Sequence, residues 1–187
     1  ALHENKLYSG SDDNTIRIWT GTNTETYEEI SILRGHHHGV TCLTILKNKL
    51  YSGSLDCTVR VWNTETHELV ATLRGHTNYV YCLAAFGNKL YSGSNDKTIR
   101  IWNTETYEKI ATLKNTYPVI CIALHENKLY SGGIGKTIRV WAKGTHTETY
   151  GEIATLRGNI GYANCLTLHE NKLYSGGGDN TIRIWNT

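Results

Sequence analysis

The chain has 187 residues, of which 39% are hydrophobic and 19% are charged, and its formal net charge at pH 7 is +2. This charge is too small to create the basic field that attracts nucleic acid or an anionic membrane surface, so neither is expected as a partner. No apolar run has the length of a membrane span, and no signal peptide is recognisable.

One sequence unit returns five times along the chain, and each copy of its motif ends in tryptophan. The motif reads LYSGSDDNTIRIW in the first copy and LYSGSNDKTIRIW in the third, and its last residues are Trp19, Trp62, Trp102, Trp141 and Trp185. The steps between these residues are 43, 40, 39 and 44. A period in this range predicts stacked structural units.

Each unit is predicted to be a small antiparallel sheet. In Thr98–Trp102 the β-branched residues alternate with a period of two, which indicates a strand. The third unit contains four such runs, at residues 79–86, 89–94, 98–102 and 108–114, and short turns separate them. Connections this short join antiparallel neighbours, so the unit is a four-stranded meander. Stacking such sheets around an axis buries both faces of each, and the predicted fold is an all-β propeller.

The whole chain, 1–187, is interpreted as one propeller domain. Its units are predicted at 1–34, 35–74, 75–114, 115–157 and 158–187, and the first and last are incomplete. A closed ring of about five blades, part of a longer array and one protomer of an assembly all stay open. An open arc would leave two apolar sheet faces in water, which favours closure or association.

The order Gly-His, Val-x-Cys-Leu and LYSGSxDxTIRIWN resembles the WD-repeat β-propeller family over essentially the whole chain. The residue after tryptophan departs from the family, because it is Asn, Thr or Ala and never Asp. The resemblance implies that ligands contact residues just before the turn aspartate and around the start of the innermost strand. The residues at these positions, predicted to bind the partner, are Asp12, His38, Thr41, Leu55, Tyr79, Tyr81, Asn95, Tyr117, Ile120, Ile134, Tyr162, Asn164 and Gly178.

The resemblance also implies a hydrogen-bond network inside the blades. Its members are His36, Ser52, Asp56 and Trp62 in the second unit and His76, Ser92, Asp96 and Trp102 in the third. A Ser–His–Asp set also occurs in hydrolases. Here the set recurs, the indole engages the hydroxyl, and no oxyanion donors are indicated, so we predict a structural role and no enzyme activity.

The hydrogen-bond network is expected to lose members in the later units of the chain. In the fourth unit Asn115-Thr116 replaces Gly-His and Gly135 replaces the aspartate, and in the fifth unit Asn159 replaces the histidine. The first unit, which is incomplete, and the fourth and fifth units are therefore predicted to be less rigid.

Cysteine and histidine usage argues against disulfides, metals and cofactors. Four cysteines recur at one position of the unit and are predicted to be small buried side chains; Cys57 is predicted to be a half-exposed thiol in a turn. Free thiols favour a reducing, intracellular and cytoplasmic location. The run His36–His38 fits the repeat and offers no closed set of ligands, so no metal is expected. The recurring cysteines are Cys42, Cys82, Cys121 and Cys165.

The two rims of the predicted propeller differ. The segments at 3–7, 125–129 and 169–173 and those at 24–27, 64–67, 104–107 and 147–150 repeat on one rim, whereas the turns of the opposite rim differ between units. Loops on a rigid scaffold commonly carry recognition. We therefore predict a non-catalytic scaffold that binds a protein or peptide through the varied rim, alone or as the recognition part of a larger multidomain protein.

An alternative from another class is a structural or lectin-like propeller with one ligand site per blade. The near identity of the units favours it, and the varied turns oppose it. Association with further copies of the chain and continuation into a larger chain both stay open.

Overall fold

The computed structural model describes residues 1–21, 26–144, 149–158 and 161–187. The described residues form nineteen strands in five antiparallel sheets, which confirms the predicted all-β fold. Within these ranges no helix is long and apolar enough to cross a membrane. Asn159 and parts of the recurring segments 24–27 and 147–150 lie outside the described residues.

We call the five sheets blades 1 to 5, in chain order. The strands of blades 1 and 2 are β1 (Leu2–His3), β2 (Lys6–Gly10), β3 (Thr15–Gly21), β4 (Tyr27–Arg34), β5 (Val40–Leu46), β6 (Lys49–Ser54), β7 (Val59–Asn63) and β8 (Leu69–Leu73). Blades 3 and 4 contain β9 (Val80–Phe86), β10 (Lys89–Ser94), β11 (Thr98–Asn103), β12 (Lys109–Lys114), β13 (Val119–His125), β14 (Lys128–Gly133), β15 (Thr137–Lys143) and β16 (Tyr150–Arg157). Blade 5 contains β17 (Ala163–His169), β18 (Lys172–Gly177) and β19 (Ile182–Asn186).

Each blade is a meander in which consecutive strands pair antiparallel. In blade 3 the register places Leu90 opposite Trp102 and Gly93 opposite Ile99. Between the third and fourth strands the register slips at the tryptophan, between Ile101 and Trp102, and blades 1, 2 and 4 repeat this irregularity. Such a bulge increases the local twist of a strand pair.

The hydrophobic core lies between blades. Blades 1 to 4 each pack one face, which we call the leading face, against the opposite, trailing face of the next blade. In the pair of blades 2 and 3, the leading side chains Tyr51, Val59 and Val61 and the trailing side chains Leu90 and Trp102 are at most 3% exposed. The same arrangement joins blades 1 and 2, 3 and 4, and 4 and 5.

In blades 1, 2 and 3 a lysine at the start of the second strand also links the blade to a later one at one rim. The Lys49 Nζ donates to the backbone carbonyl of Thr104 in blade 3 at 2.8 Å, and Lys6 Nζ lies 3.4 Å from the carbonyl of Thr64 in blade 2. In blade 3, Lys89 Nζ donates instead to the Tyr150 hydroxyl of blade 4 at 2.8 Å.

The recurring cysteines follow the packing of the blades. Cys82 and Cys121 are buried and Cys42 is half-buried, and burial raises the pKa of the Cys42 and Cys121 thiols to about 12. The prediction of a buried side chain is wrong for Cys165, which is exposed. It lies in blade 5, in a sheet whose leading face none of the described residues covers.

Candidate functional site

Two four-residue networks link strands within blades 2 and 3. In blade 2 the Trp62 indole Nε1–H donates to the Ser52 hydroxyl at 2.9 Å. The same hydroxyl lies 2.7 Å from His36 Nε2, and His36 Nδ1 lies 2.7 Å from the Asp56 carboxylate. Ser52 is 0% exposed and His36 is 6% exposed, so the polar atoms of this network bond to one another and not to solvent.

The blade 3 network has nearly the same geometry. Trp102 Nε1 lies 2.9 Å from the Ser92 hydroxyl, which lies 2.8 Å from His76 Nε2. His76 Nδ1 lies 2.7 Å from the Asp96 carboxylate. The structure therefore brings together all eight side chains of the two predicted networks, four in each blade.

The turn aspartate fixes its loop by accepting several hydrogen bonds. One oxygen of Asp56 accepts from the backbone N–H of Thr58 at 3.0 Å and from its hydroxyl at 2.6 Å, and the other accepts from the backbone N–H of His37 at 3.1 Å. Burial alone would raise the pKa of Asp56, but the hydrogen bonds from His36, Thr58 and His37 outweigh it and hold the pKa well below the ordinary range.

The other blades keep only parts of this network. In blades 1 and 5 the turn aspartate pairs with the arginine four residues later, with Arg17 Nη2 at 3.0 Å from Asp13 and Arg183 Nη1 at 2.7 Å from Asp179. The indole–serine bond persists in both blades, at 2.9 Å from Trp19 to Ser9 and from Trp185 to Ser175.

In blade 4 the structure corrects the alignment of the fourth unit that was made from the sequence. The structure places Asn115, not Thr116, in the position of the histidine, because Asn115 Nδ2 lies 3.4 Å from the Ser131 hydroxyl. The space of the missing aspartate is filled by the Tyr117 ring, which would lie 2.5 Å from a Cβ atom at Gly135.

The predicted partner-binding residues gather in local groups along one rim. In blades 2, 3 and 5 the residue before the turn aspartate donates its backbone N–H to a backbone carbonyl of the adjoining loop. The three bonds run from Leu55 to Gly39 at 3.0 Å, from Asn95 to Tyr79 at 2.9 Å and from Gly178 to Tyr162 at 2.8 Å. Each bond holds a predicted residue beside the loop that carries others.

Side-chain contacts complete these groups. A Cβ atom at Gly39 would lie 2.7 Å from the Asp12 carboxylate and 3.6 Å from the Leu55 side chain, so Asp12 and Leu55 flank the same loop as His38. The Tyr79 and Tyr81 rings pack edge to face with centroids 6.2 Å apart. Asn164 lies beside Gly178 in blade 5, and Ile134 lies in the turn between β14 and β15, where the next residue, Gly135, adjoins the Tyr117 ring.

Exposure separates the predicted residues into two sets. Tyr79, Tyr117, Tyr162 and Ile134 are 43%, 50%, 49% and 38% exposed. Leu55, Tyr81, Asn95 and Ile120 are half-buried, and the remainder of the set is exposed. The remainder comprises Asp12, His38, Thr41, Asn164 and Gly178.

Thr41 has a structural contact that sequence reasoning did not reveal. Its hydroxyl is within hydrogen-bond distance of the Val80 carbonyl in blade 3 and lies 3.1 Å from the Gly53 carbonyl in its own blade. Because a hydroxyl has one proton, it donates to one of these carbonyls at a time, and when the acceptor is Val80 the Thr41 side chain links blades 2 and 3.

The opposite rim contains a cavity that sequence reasoning also missed. A space of about 190 Å³ opens between blades 3 and 4, beside Phe86, Tyr91, Lys89 and Tyr150. In blades 2 and 3 the second residue after the tryptophan is a buried threonine, whereas blade 4 has Lys143 there. The sequence shows this difference as Lys143, which stands where the second and third units have threonine.

In the described ranges no group of three or more His, Cys, Asp and Glu side chains is arranged to hold a metal ion. The exposed imidazoles of His37 and His38 therefore form no closed metal site with the described residues around them.

Comparisons with known proteins agree with this geometry. A sequence profile of the WD domain, G-beta repeat family matches residues 2–20, 27–63, 67–103 and 151–186, more than half of the chain. The unmatched stretch includes most of blade 4, where the aspartate of the network is missing. No curated protein matches the chain.

Among solved structures, the crystal structure of the computationally designed Ika8 protein is similar to this chain, with a TM-score of 0.85 and 28% sequence identity. The match covers 100% of this chain and 57% of that chain. The chain therefore spans a little over half the length of this solved relative.

Proposed function

The chain belongs to the WD-repeat family, and from that premise we propose that it is a non-catalytic scaffold that binds a protein or peptide through the varied rim. WD-repeat domains generally mediate protein–protein interactions and are generally not enzymes. The proposal for this chain goes further, because it assigns binding to one rim and to particular residues.

The observation that carries the proposal is the set of exposed aromatic and aliphatic side chains on that rim. Tyr79, Tyr117 and Tyr162 stand at equivalent loops of blades 3, 4 and 5, and each is at least 43% exposed. Tyrosine is enriched at protein interfaces because it adds a large contact area and a polar hydroxyl while few torsion angles become fixed.

The loops that carry these side chains are held by the scaffold. The Ser54 hydroxyl donates to the carbonyl of His38 at 2.8 Å, and the Ser94 hydroxyl lies 3.0 Å from the carbonyl of Asn78. A preformed loop loses less conformational entropy when it binds, so these bonds favour recognition.

The Ser–His–Asp sets support a scaffold and not a hydrolase. A nucleophilic serine must reach its substrate, but Ser52 and Ser92 are each 0% exposed. Each hydroxyl oxygen also accepts the indole N–H of its blade, so the side chain that would attack is already engaged.

The test is peptide-phage display against the chain, followed by calorimetry of the selected peptides with rim variants. We expect Tyr79→Ala or Tyr117→Ala to weaken binding by about tenfold or more, as truncation of a central aromatic contact does. The matched control is Phe86→Ala, which removes a 62% exposed aromatic side chain at the opposite rim and should leave the affinity unchanged.

The two variants on the varied rim and the control together locate the binding surface. If Phe86→Ala weakens binding while the tyrosine variants do not, the cavity rim binds the peptide and the proposal is wrong. If a glycan array selects ligands where the peptide library selects none, the lectin-like alternative replaces it.

A further inference from the structure

The four contacts between neighbouring blades repeat one pattern of side chains. A tyrosine of the second strand and two β-branched residues of the third strand form the leading face. They pack against a leucine of the second strand and the tryptophan of the next blade. At the first of the two β-branched positions, Ile16, Val59, Ile99 and Ile138 are all 0% exposed.

Blade 5 presents the same leading face to solvent. Ile182 and Ile184 occupy the two β-branched positions and are 77% and 60% exposed. Their counterparts in blade 3, Ile99 and Ile101, are both 0% exposed beneath blade 4. Blade 5 therefore has the residues of a packed interface but not the contacts.

Blade 1 presents the matching trailing face. Leu7 holds the leucine position and is 37% exposed, whereas Leu50 and Leu90 at the same position are 0% exposed. Leu2, which is equivalent to Ile45 of blade 2, is 70% exposed, and Trp19 is half-buried where Trp62 and Trp102 are 3% exposed.

We propose that copies of this 187-residue chain associate head to tail, with the leading face of blade 5 packed on the trailing face of blade 1 of a second copy. The occupant is a second copy because the two open faces are the two halves of the interface that already joins the blades. Ile182 and Ile184 would cover Leu7 and Trp19 as Ile16 and Ile18 cover Leu50 and Trp62.

The lysine contact between blades at the rim also has a counterpart in the proposed contact. Lys49 reaches the carbonyl two residues after the tryptophan of the next blade, Thr104. In the proposed contact Lys172, which holds the same place in blade 5 and is exposed, faces the carbonyl of Gly21, two residues after Trp19. A backbone carbonyl accepts this bond whatever its side chain is.

The proposed contact is smaller than an internal one. The first strand of blade 1 is only Leu2–His3, whereas the equivalent strand of blade 2 is Val40–Leu46. Association should therefore depend on protein concentration, and because the two faces differ, it can build rings or open filaments.

The first measurement is the molar mass of the chain by sedimentation over a range of concentrations. We expect multiples of the monomer mass that increase with concentration and revert to the monomer on dilution. A monomer that persists at about 100 µM, where an interface with a dissociation constant of about 10 µM or below is mostly occupied, overturns the proposal.

The second measurement uses one variant for each face. Ile182→Glu/Ile184→Glu charges only the leading end and Leu2→Glu/Leu7→Glu only the trailing end, so each variant alone should be a monomer. An equimolar mixture should form dimers and nothing larger, because one intact leading face meets one intact trailing face. Dimers in the mixture also show that both variants fold.

The outcomes separate head-to-tail contact from other kinds of association. If either variant alone associates as the unsubstituted chain does, or if the mixture stays monomeric, the proposal is wrong. The control is Ile153→Glu, which charges a 57% exposed aliphatic residue on the outermost strand of blade 4. It should associate like the unsubstituted chain, and loss of association would move the interface to the outer strands.

Discussion

Removal of a network serine gives the sharpest test of what holds a blade together. Ser92→Ala deletes a hydroxyl that accepts the Trp102 indole N–H at 2.9 Å and lies 2.8 Å from His76 Nε2. The methyl group that remains cannot bond to either ring. Both ring nitrogens stay buried, because Trp102 is 3% and His76 is 7% exposed.

The expected loss follows from the number of polar groups left without a partner. A buried donor or acceptor without a partner costs about 1–3 kcal/mol, so two of them lower the free energy of unfolding by about 2–6 kcal/mol. In blade 1, Ser9→Ala removes the indole bond alone, at 2.9 Å from Trp19, and both side chains there are half-buried. Water can replace that bond, so we expect a loss of about 1 kcal/mol or less.

The assay is urea unfolding at neutral pH, with the slope of the transition compared between variants. Equal slopes show that the same surface unfolds and that the free energies can be compared. Where slopes differ, hydrogen exchange of the blade 3 amides measures the local loss, because repeat proteins can unfold in parts.

The reasoning is refuted if Ser92→Ala and Ser9→Ala lose the same free energy of unfolding. The histidine and the aspartate would then add nothing beyond the indole bond. Ser52→Ala is the internal replicate, because its network in blade 2 has the same distances to within 0.1 Å.

Two further predictions concern titration and thiol chemistry. Burial opposes ionisation of Asp96, but the bonds from His76 and Thr98 outweigh it and lower its pKa below the ordinary 3.8. The stabilisation of the fold by the ionised Asp96 carboxylate is thus fully present above pH 3.8 and is lost as the pH falls further. Between pH 7 and pH 3 the urea midpoint of Asp96→Asn should therefore fall less steeply than that of the unsubstituted chain. Parallel curves would contradict this prediction. In native alkylation followed by mass spectrometry, exposed Cys165 should react first and half-buried Cys57, whose pKa is raised by burial and by nearby Asp56, more slowly. Buried Cys82 and Cys121 should react only after denaturation, and half-buried Cys42, whose pKa burial raises to about 12, should react more slowly than Cys57. Modification of Cys82 or Cys121 at the rate of Cys165 would show that the blades open.

The strands could be predicted because local alternation and packing agree. Residues 98–102 alternate with a period of two, and the structure has a strand at Thr98–Asn103 whose isoleucines are buried between blades. The predicted outer strand at 108–114 begins one residue later, at Lys109. The bounds of these strands were predictable because the turn residues and the alternation of buried side chains both limit where a strand can begin and end.

The site was less predictable because it depends on distances between loops. The stretch from Thr116 to Trp141 is 25 residues, one fewer than the 26 from His76 to Trp102, and a count from the start of the fourth unit placed Thr116 in the position of the histidine. The structure instead keeps the step of 16 residues to the serine, which selects Asn115. That the Tyr117 ring fills the space beside Gly135 is a packing fact, and a single sequence carries no sign of it.

The lysine that crosses between blades has a consequence for how such a chain can grow. Because Lys49 donates to a main-chain oxygen of Thr104, the neighbour can change its side chain without breaking the bond. A duplicated segment would thus keep this lysine bond without a compensating substitution on either side. Lys89, which relies on the phenol oxygen of Tyr150, lacks that tolerance, and a Tyr150→Phe exchange would remove its acceptor. This polar contact therefore constrains the duplication of a unit least where the lysine of one blade bonds to a backbone oxygen of its neighbour.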